Sequence, residues 1–280
     1  MNVWLLGRGE LRRRHDDVLQ LERAFLTDRT GLHFVNARSS EDLLALAESR
    51  RAEQQWPVLD AEWISPVGTD TCDDLVWQNL ESTLDGRPDT FYSTAGFEAG
   101  NTLSGTGELA PGEAFLAYRF WRPVRVYAVQ LRAFQADFHP GRPVYPFQVA
   151  RVGVGCSLQA GMSLSYGADA SAPGTSCNYR CFCTTEQQTL VFDDPMVGVY
   201  LVICLKGFPQ QQLTDRLHYA AVSGIRVFGE PISSPALENE LSCLISRGFI
   251  LDGRDAARWL DLRSAQEHAA PMHIPEDEVI

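Results

Sequence analysis

Three closely spaced cysteines, Cys177, Cys181 and Cys183, are the residues with the most obvious capacity for chemistry. Cysteines bind structural zinc where two well-spaced Cys/His pairs supply four ligands. Here the six histidines lie elsewhere in the chain, the nearest being His139 and His218. Because this set of metal ligands is incomplete, we predict that the segment is a loop that carries free thiols, and we expect no cofactor. The three cysteines are only weak candidates for a metal site.

Asp137 and His139 form a second candidate group. Residues two apart on a strand point the same way, so they could act as an acid–base pair; the favoured alternative is that they cap a turn beside the following proline. The glycine-rich run 100–107 lacks the Lys-Ser/Thr of a phosphate-binding loop, and neither Ser93 nor Ser104 lies in a Gly-x-Ser-x-Gly frame. We therefore predict that the chain is not an enzyme.

Charge and hydropathy exclude further classes. The 280 residues carry a formal charge of −12, from 36 acidic and 24 basic residues. Nucleic acids and anionic membranes are recognised by clustered positive charge, so neither is expected as a partner. The longest apolar run, 196–205, is about half a membrane span and favours a buried strand. Seven cysteines without a signal peptide indicate reduced thiols inside the cell, in the cytoplasm or nucleus.

The elements that position these residues fall into three regions. Residues 1–71 are predicted to be helical, with one helix over 10–26 and a second that starts at the N-cap Ser40 and ends before Pro57. Residues 232–280 return to helices: Ser234 is an N-cap before Pro235, and a last helix over about 254–268 precedes an acidic tail.

Residues 72–231 between them consist of short runs rich in Val, Tyr and Phe, punctuated by glycine and proline. This pattern is typical of many short antiparallel strands. Within one run, Tyr127, Val129, Leu131 and Ala133 alternate with polar residues, which predicts a sheet with one buried face. We predict a mainly β fold, an antiparallel jelly-roll or β-sandwich with helical flanks. The predicted strands are 114–121, 124–134, 144–154, 189–192, 197–205 and 217–228.

Two segments of this region resemble galactose-binding-like (discoidin-like) jelly rolls: residues 85–96 (DGRPDTFYSTAG) and residues 222–229 (VSGIRVFG). The run 129–145 (VQLRAFQADFHPGRPVY) is similar to a segment in the C-terminal domain of a plant family of F-box proteins. The resemblance covers about residues 73–230. No F-box opening is recognisable in the first 56 residues, so either the F-box has diverged or the β-domain has other flanks.

The resemblance implies that ligands meet the loops at one end of the sandwich. Those loops carry the candidate binding residues Asp89, Phe91, Tyr92, Asp137, His139 and Arg142, together with the segment 177–183. Exposed aromatic rings in them would stack on a sugar or a peptide side chain, and Arg142 would hold a carboxylate bidentately. The alternative for Phe91 and Tyr92 is that they begin a strand and belong to the core. Phe134, Phe138 and Tyr145 are expected to pack across the sandwich or to clasp the hairpin at the Pro-Gly turn.

The function that follows is a non-catalytic protein-interaction or adaptor subunit. Its partners would be proteins of a larger assembly or, as the F-box resemblance implies, a cullin-type ubiquitin ligase in which the chain is a substrate receptor. The alternative is a lectin-like module that binds a glycan or a small ligand through its end loops.

Overall fold

The computed structural model describes residues 40–69, 80–98, 110, 112–139, 141–161, 178–247 and 253–268. The predicted helix over 10–26, the acidic tail and Cys177 lie outside the described residues. The long α-helices within the described residues are α1 (Ser40–Gln55), α2 (Pro235–Ser246) and α3 (Gly253–His268). The strands are β1 (Ile64–Thr69), β2 (Tyr92–Ser93), β3 (Glu113–Gln135), β4 (Val144–Tyr145), β5 (Val149–Gly155), β6 (Asn178–Arg180), β7 (Gln188–Lys206), β8 (Gln210–Gln211), β9 (His218–Tyr219) and β10 (Ala221–Pro231).

Two long antiparallel strands, β3 and β7, run through both layers of the sandwich. In one layer, the first part of β3 pairs with β1 on one side and with the last part of β7 on the other. This part of β7 also pairs with β5, and β5 pairs with β6. In the other layer, the last part of β3 pairs with β10, and β10 with β2. A register shift between Arg119 and Val124 separates the two parts of β3. The predicted antiparallel β-sandwich of the jelly-roll class is confirmed.

Hydrogen bonds between the layers show how the sandwich closes. The hydroxyls of Thr69 on β1 and Tyr92 on β2 lie 2.7 Å apart. The hydroxyl of Tyr118 on β3 lies 2.8 Å from that of Thr83. Burial raises the pKa of Tyr118 far above its ordinary value, so its hydroxyl stays protonated. The core between the layers consists of Val, Leu, Ile and aromatic side chains that alternate along the strands.

The predicted strand boundaries need correction. The predicted strands 114–121 and 124–134 form one continuous strand, β3. The predicted strands 189–192 and 197–205 also form one continuous strand, β7. The predicted strand 144–154 is divided into β4 and β5, and the predicted strand 217–228 is divided into β9 and β10. The joined strands share one bent path between layers, whereas the divided ones change partner at a short break in the strand, and neither effect is visible in local hydropathy.

A bulge at Tyr127 corrects the predicted alternation. Val126 and Val129 both belong to the core, whereas Ala128 faces outward against Phe228. The extra residue at 127 reverses the side that each following side chain takes. Tyr127 therefore lies on the outer side, where its ring stacks 5.9 Å from that of Trp56 rather than joining Val129 in the core.

Helix α1 covers the outer face of the layer that contains β10. Gln130 donates to the hydroxyl of Ser49 at 2.6 Å, and Arg226 bonds to Glu53 at 2.6 Å. Gln130 is only 1% exposed, so the predicted solvent face of this strand is buried under α1.

The C-terminal helices pack on the opposite side of β7. Ser234 caps α2 by accepting from the Leu237 amide, with Pro235 in the first turn, as predicted. Leu237 and Leu241 pack with α3 and with Val197 of β7. Among the described residues, no helix is long and apolar enough to cross a membrane.

Candidate functional site

Two loops meet at one end of the sandwich, and we call residues 85–91 and 136–143 together the end-loop surface. Residues 85–91 lead into β2, and 136–143 connect β3 to β4. The rings of Phe91 and Phe134 stack with centroids 3.8 Å apart at 16°. Both side chains are 5% exposed and belong to a small core with Tyr145 and Tyr219. The structure therefore brings together the two loops on which five of the sequence candidates lie, and the sixth, Tyr92, begins β2.

Phe138 forms the outer part of this surface. Its ring is 61% exposed and lies 6.4 Å from the ring of Phe91 and 6.1 Å from that of Phe134. The imidazole of His139 packs beside it at 4.7 Å. An exposed ring supported by two buried rings is held in place, because the rings beneath it have no room to move.

The predicted roles of three aromatic residues change as a result. Phe91 is 5% exposed and Tyr92 is fully buried, so the alternative that they belong to the core is confirmed and neither ring is free to stack on a ligand. Phe138, which we expected to pack across the sandwich or to clasp the hairpin, is the exposed ring. In the sequence, Phe138 lies between the turn-forming residues Asp137 and Pro140, and this position indicates exposure. The neighbouring aromatic residues suggested burial instead.

Main-chain hydrogen bonds form the loop that carries Phe138. The amide of His139 donates to Ala136 at 3.1 Å, and the amide of Arg142 donates to His139 at 3.0 Å. Gly141 has φ +82° and Arg142 has φ +48°. The left-handed region suits glycine and is rare for other residues. The loop thus holds Arg142 in a conformation that it adopts only within this closed turn.

The polar side chains of the same loop do not form an acid–base pair, which was the less favoured alternative for Asp137 and His139. Asp137 faces Arg142, with Oδ1 3.8 Å from Nε, while His139 packs on Phe138. The Asp137 and Arg142 side chains are 72% and 71% exposed. A contact of this length is a loose ion pair. The bidentate hold on a ligand carboxylate expected for Arg142 stays a prediction. Both groups remain accessible to a ligand.

Asp89 is held by Arg87, a residue that the sequence analysis did not select. The Arg87 guanidinium donates from Nη2 to Oδ2 at 2.9 Å and from Nε to Oδ1 at 3.2 Å. This hydrogen bond lowers the pKa of the Asp89 carboxyl. Asp85 closes the turn by accepting from the Arg87 amide at 2.8 Å and from the Thr90 hydroxyl at 2.7 Å. The turn therefore presents one ordered, exposed ion pair beside the aromatic rings.

The loop before β9 supports the aromatic cluster from a third side. Leu217 packs against the cluster. Asp215 accepts from the Tyr219 hydroxyl at 2.6 Å and from the Leu217 amide at 2.9 Å. Burial opposes ionisation of Asp215, but these hydrogen bonds outweigh it and lower the pKa of its carboxyl.

The cysteine candidates lie apart from this surface. Cys181 is 8% exposed, and burial raises the pKa of its thiol to about 12. Cys183 is exposed; partial burial and then the carboxylates of Glu41 and Asp42 raise the pKa of its thiol. Thiolates are the metal-binding form, so both shifts disfavour ligation. Within the part of the chain that the structure describes, no three His, Cys, Asp or Glu side chains are grouped closely enough to hold a metal ion.

Comparisons with known proteins find structural likeness only. No protein-family model matches the chain, and no curated protein matches it. A family 32 carbohydrate-binding module of Clostridium perfringens, solved with galactose, is 9% identical and aligns over 61% of this chain and 97% of its own, with a TM-score of 0.40. A chitobiase C-terminal domain from Bacteroides fragilis is 12% identical over 63% of this chain and 100% of its own, with a TM-score of 0.41.

A fucolectin from striped bass serum is 12% identical over 62% of this chain and 50% of its own, with a TM-score of 0.40. The neighbours are thus galactose-binding-like modules, and none of these likenesses is close enough to assign a ligand to this chain. The resemblance to plant F-box proteins stays a prediction.

Proposed function

We propose that this chain is a glycan-binding module whose binding site is the end-loop surface. The observation that carries the proposal is the 61% exposed ring of Phe138, supported by the buried rings of Phe91 and Phe134. A sugar has an apolar C–H face and hydroxyls around its edge. An aromatic ring contacts that face, and charged groups beside the ring bond to the hydroxyls.

The charged groups required beside the ring are present. Asp137 and Arg142 are both more than two-thirds exposed and only loosely paired, so each keeps hydrogen-bonding capacity for a ligand. Arg87 and Asp89 form a second, ordered pair at the neighbouring turn. Because the aromatic ring and both turns are already in place, little ordering accompanies binding.

Non-catalytic action fits this proposal, since it needs contacts and no reacting groups. An adaptor role with a protein partner, a cullin-type ligase or a larger assembly remains a prediction. Purification of the tagged chain from its native cells, followed by identification of the proteins recovered with it, tests that prediction separately.

The direct test is a glycan array probed with the full chain, followed by calorimetric titration with the best-binding glycan. Phe138→Ala is expected to abolish binding while leaving the thermal unfolding midpoint nearly unchanged, because the ring is mostly exposed. Trp121→Ala is the matched control: this ring is 68% exposed but lies near the middle of β3. An array without any bound glycan, or a Phe138→Ala variant that binds as the wild type does, would overturn the proposal.

A further inference from the structure

A cavity of about 400 Å³ opens along one edge of β10, and we call it the edge cavity. Along this edge β10 has two neighbours. Val222 pairs with Tyr92 of β2, and Val227 accepts from the amide of Leu59 at 2.9 Å. Between them, the described residues place no strand opposite residues 223–226. At about 3.3 Å per residue, this gap is roughly 13 Å long.

Backbone groups of β10 point into the gap. Val227 directs its carbonyl toward Leu59, and Gly229 donates to Pro57 on the same edge. Residues two apart on an antiparallel strand direct their N–H and C=O groups to the same side. Ile225 therefore directs its N–H and C=O toward the cavity, while Arg226 lies opposite Gln130 of β3. An extended backbone in the gap would pair with Ile225.

The two walls of the edge cavity differ in chemistry because the cavity contacts both faces of the sheet. On the inner side, Leu59, Leu131 and Ile225 belong to the hydrophobic core. On the outer side lie Arg132 and Arg226. The side chains of an extended peptide alternate between two faces. A peptide with apolar residues on one face and acidic residues on the other therefore matches both walls.

One arginine of the lining, Arg132, is the group that suits an acidic residue of a peptide, and Asp60 is the single carboxylate of the lining. The charged residues that line the cavity are Asp60, Arg87, Arg132 and Arg226. Glu53 already bonds to Arg226 and Asp89 to Arg87. Arg132 is different: its Nε donates to the main-chain carbonyl of Thr185 at 3.1 Å, and among the described residues it forms no ion pair with a carboxylate. Its remaining guanidinium donors suit a carboxylate of a ligand.

We propose that the edge cavity binds an extended segment of a partner protein in which apolar and acidic residues alternate, with its backbone paired to Ile225. This is strand addition at a sheet edge, a mode in which main-chain hydrogen bonds supply affinity and alternating pockets supply specificity. It does not rest on glycan binding: Arg87 belongs to both the end-loop surface and the cavity lining, but the Phe138 ring belongs only to the first and the Ile225 backbone only to the second, so either proposal can fail without the other.

The test is fluorescence anisotropy of the full chain with a labelled seven-residue peptide that alternates valine with glutamate. The matched probe alternates valine with lysine. The glutamate peptide is expected to bind at least about tenfold more tightly than the lysine peptide. Arg132→Glu should weaken it by about tenfold or more, and Arg132→Gln by less. Arg258→Glu, an exposed arginine on α3, should leave it unchanged.

A second measurement separates strand pairing from simple charge attraction. Amide exchange of Ile225, followed by NMR, should slow in the presence of the glutamate peptide, because the amide becomes hydrogen-bonded. Equal binding of both peptides, no effect of either Arg132 variant, or unchanged exchange at Ile225 would overturn the proposal. The proposal would also be overturned if the chain self-associates and Arg132→Glu abolishes this self-association, because the edge would then bind a second copy of the chain.

Discussion

The end-loop surface and the edge cavity lie on either side of one turn, yet they are built in opposite ways. Phe91 follows this turn and supports the exposed Phe138 ring, whereas Gly86 and Arg87 of the turn line the cavity. The end-loop surface presents side chains on loops closed by their own hydrogen bonds. The edge cavity presents the backbone of a strand and two walls of unlike chemistry. The two proposals together assign to one sandwich a side-chain site and a main-chain site with different ligands.

The largest expected effect concerns the support of the exposed ring. Phe134→Ala removes a buried ring that stacks on Phe91 and should lower the free energy of unfolding by about 3–5 kcal/mol. Phe138→Ala should change it by no more than about 0.5 kcal/mol, because the ring is mostly in solvent. Urea denaturation of both variants measures the difference. If the two lose equal stability, Phe138 is part of the core and not a binding ring.

The next effect concerns the polar contacts beneath α1. Gln130 donates to Ser49 and, at 3.2 Å, to Thr189, and accepts from Arg226 at 3.3 Å. Gln130→Ala leaves these groups unsatisfied and should lower the free energy of unfolding by about 1–3 kcal/mol. It should also weaken peptide binding at the edge cavity, because Arg226 loses a hydrogen bond that positions its guanidinium, and leave glycan binding unchanged.

Chemical denaturation and the two binding assays, run on the same Gln130→Ala preparation, measure these effects. Loss of glycan binding in this variant would show that the two surfaces are coupled, which contradicts their separation.

Salt should separate the two surfaces by a smaller effect. Raising the salt concentration from about 0.05 to 0.5 M shortens the Debye length to less than half and screens the arginines of the cavity. Binding of the acidic peptide should therefore weaken severalfold. Binding of a neutral glycan at the end-loop surface should hold constant, because it depends on a ring and on short hydrogen bonds. A peptide affinity that is unaffected by salt would show that the arginines do not contribute.

The smallest expected effect is acid sensitivity of the end-loop surface. The pKa of Asp215 is lower in the folded state than in the unfolded state, so its contribution to stability is present above its ordinary pKa of about 4. That contribution is lost as the pH falls through the folded-state value. The thermal unfolding midpoint should therefore decline less between pH 5 and about pH 2 in Asp215→Asn than in the wild type. Equal declines would mean that Asp215 does not support the cluster.

Local pattern predicted much of the fold because it reports local physics. Ser234 and Pro235 mark the start of α2, and proline at position 57 follows the end of α1, since caps and helix breakers act within a turn. Glycine at 141 has the positive φ that a tight turn requires. The bulge at Tyr127 was not predictable, because it depends on the register with two other strands.

The sequence predicted which loops form the candidate site, but only some of the residues within them that form it. The loops of Asp89 and of Asp137 do meet, but the exposed ring is Phe138 and not Phe91 or Tyr92. An aromatic residue suits a core and a binding surface equally well, so its type does not decide between them. Arg87 was not selected as a candidate, because its role in holding Asp89 depends on a bidentate contact that the turn creates.

The sequence by itself determined the class of fold and the ends of the helices. Strand alternation, caps and turn residues depend on neighbours in the chain. Only the tertiary structure decided that β3 and β7 cross between layers, that α1 buries Gln130, and that Phe138 is exposed. It alone revealed the edge cavity, which exists because two segments distant in sequence, 57–59 and β2, stop short of each other along β10. Long-range pairing follows from how whole layers close, and no local pattern carries that information.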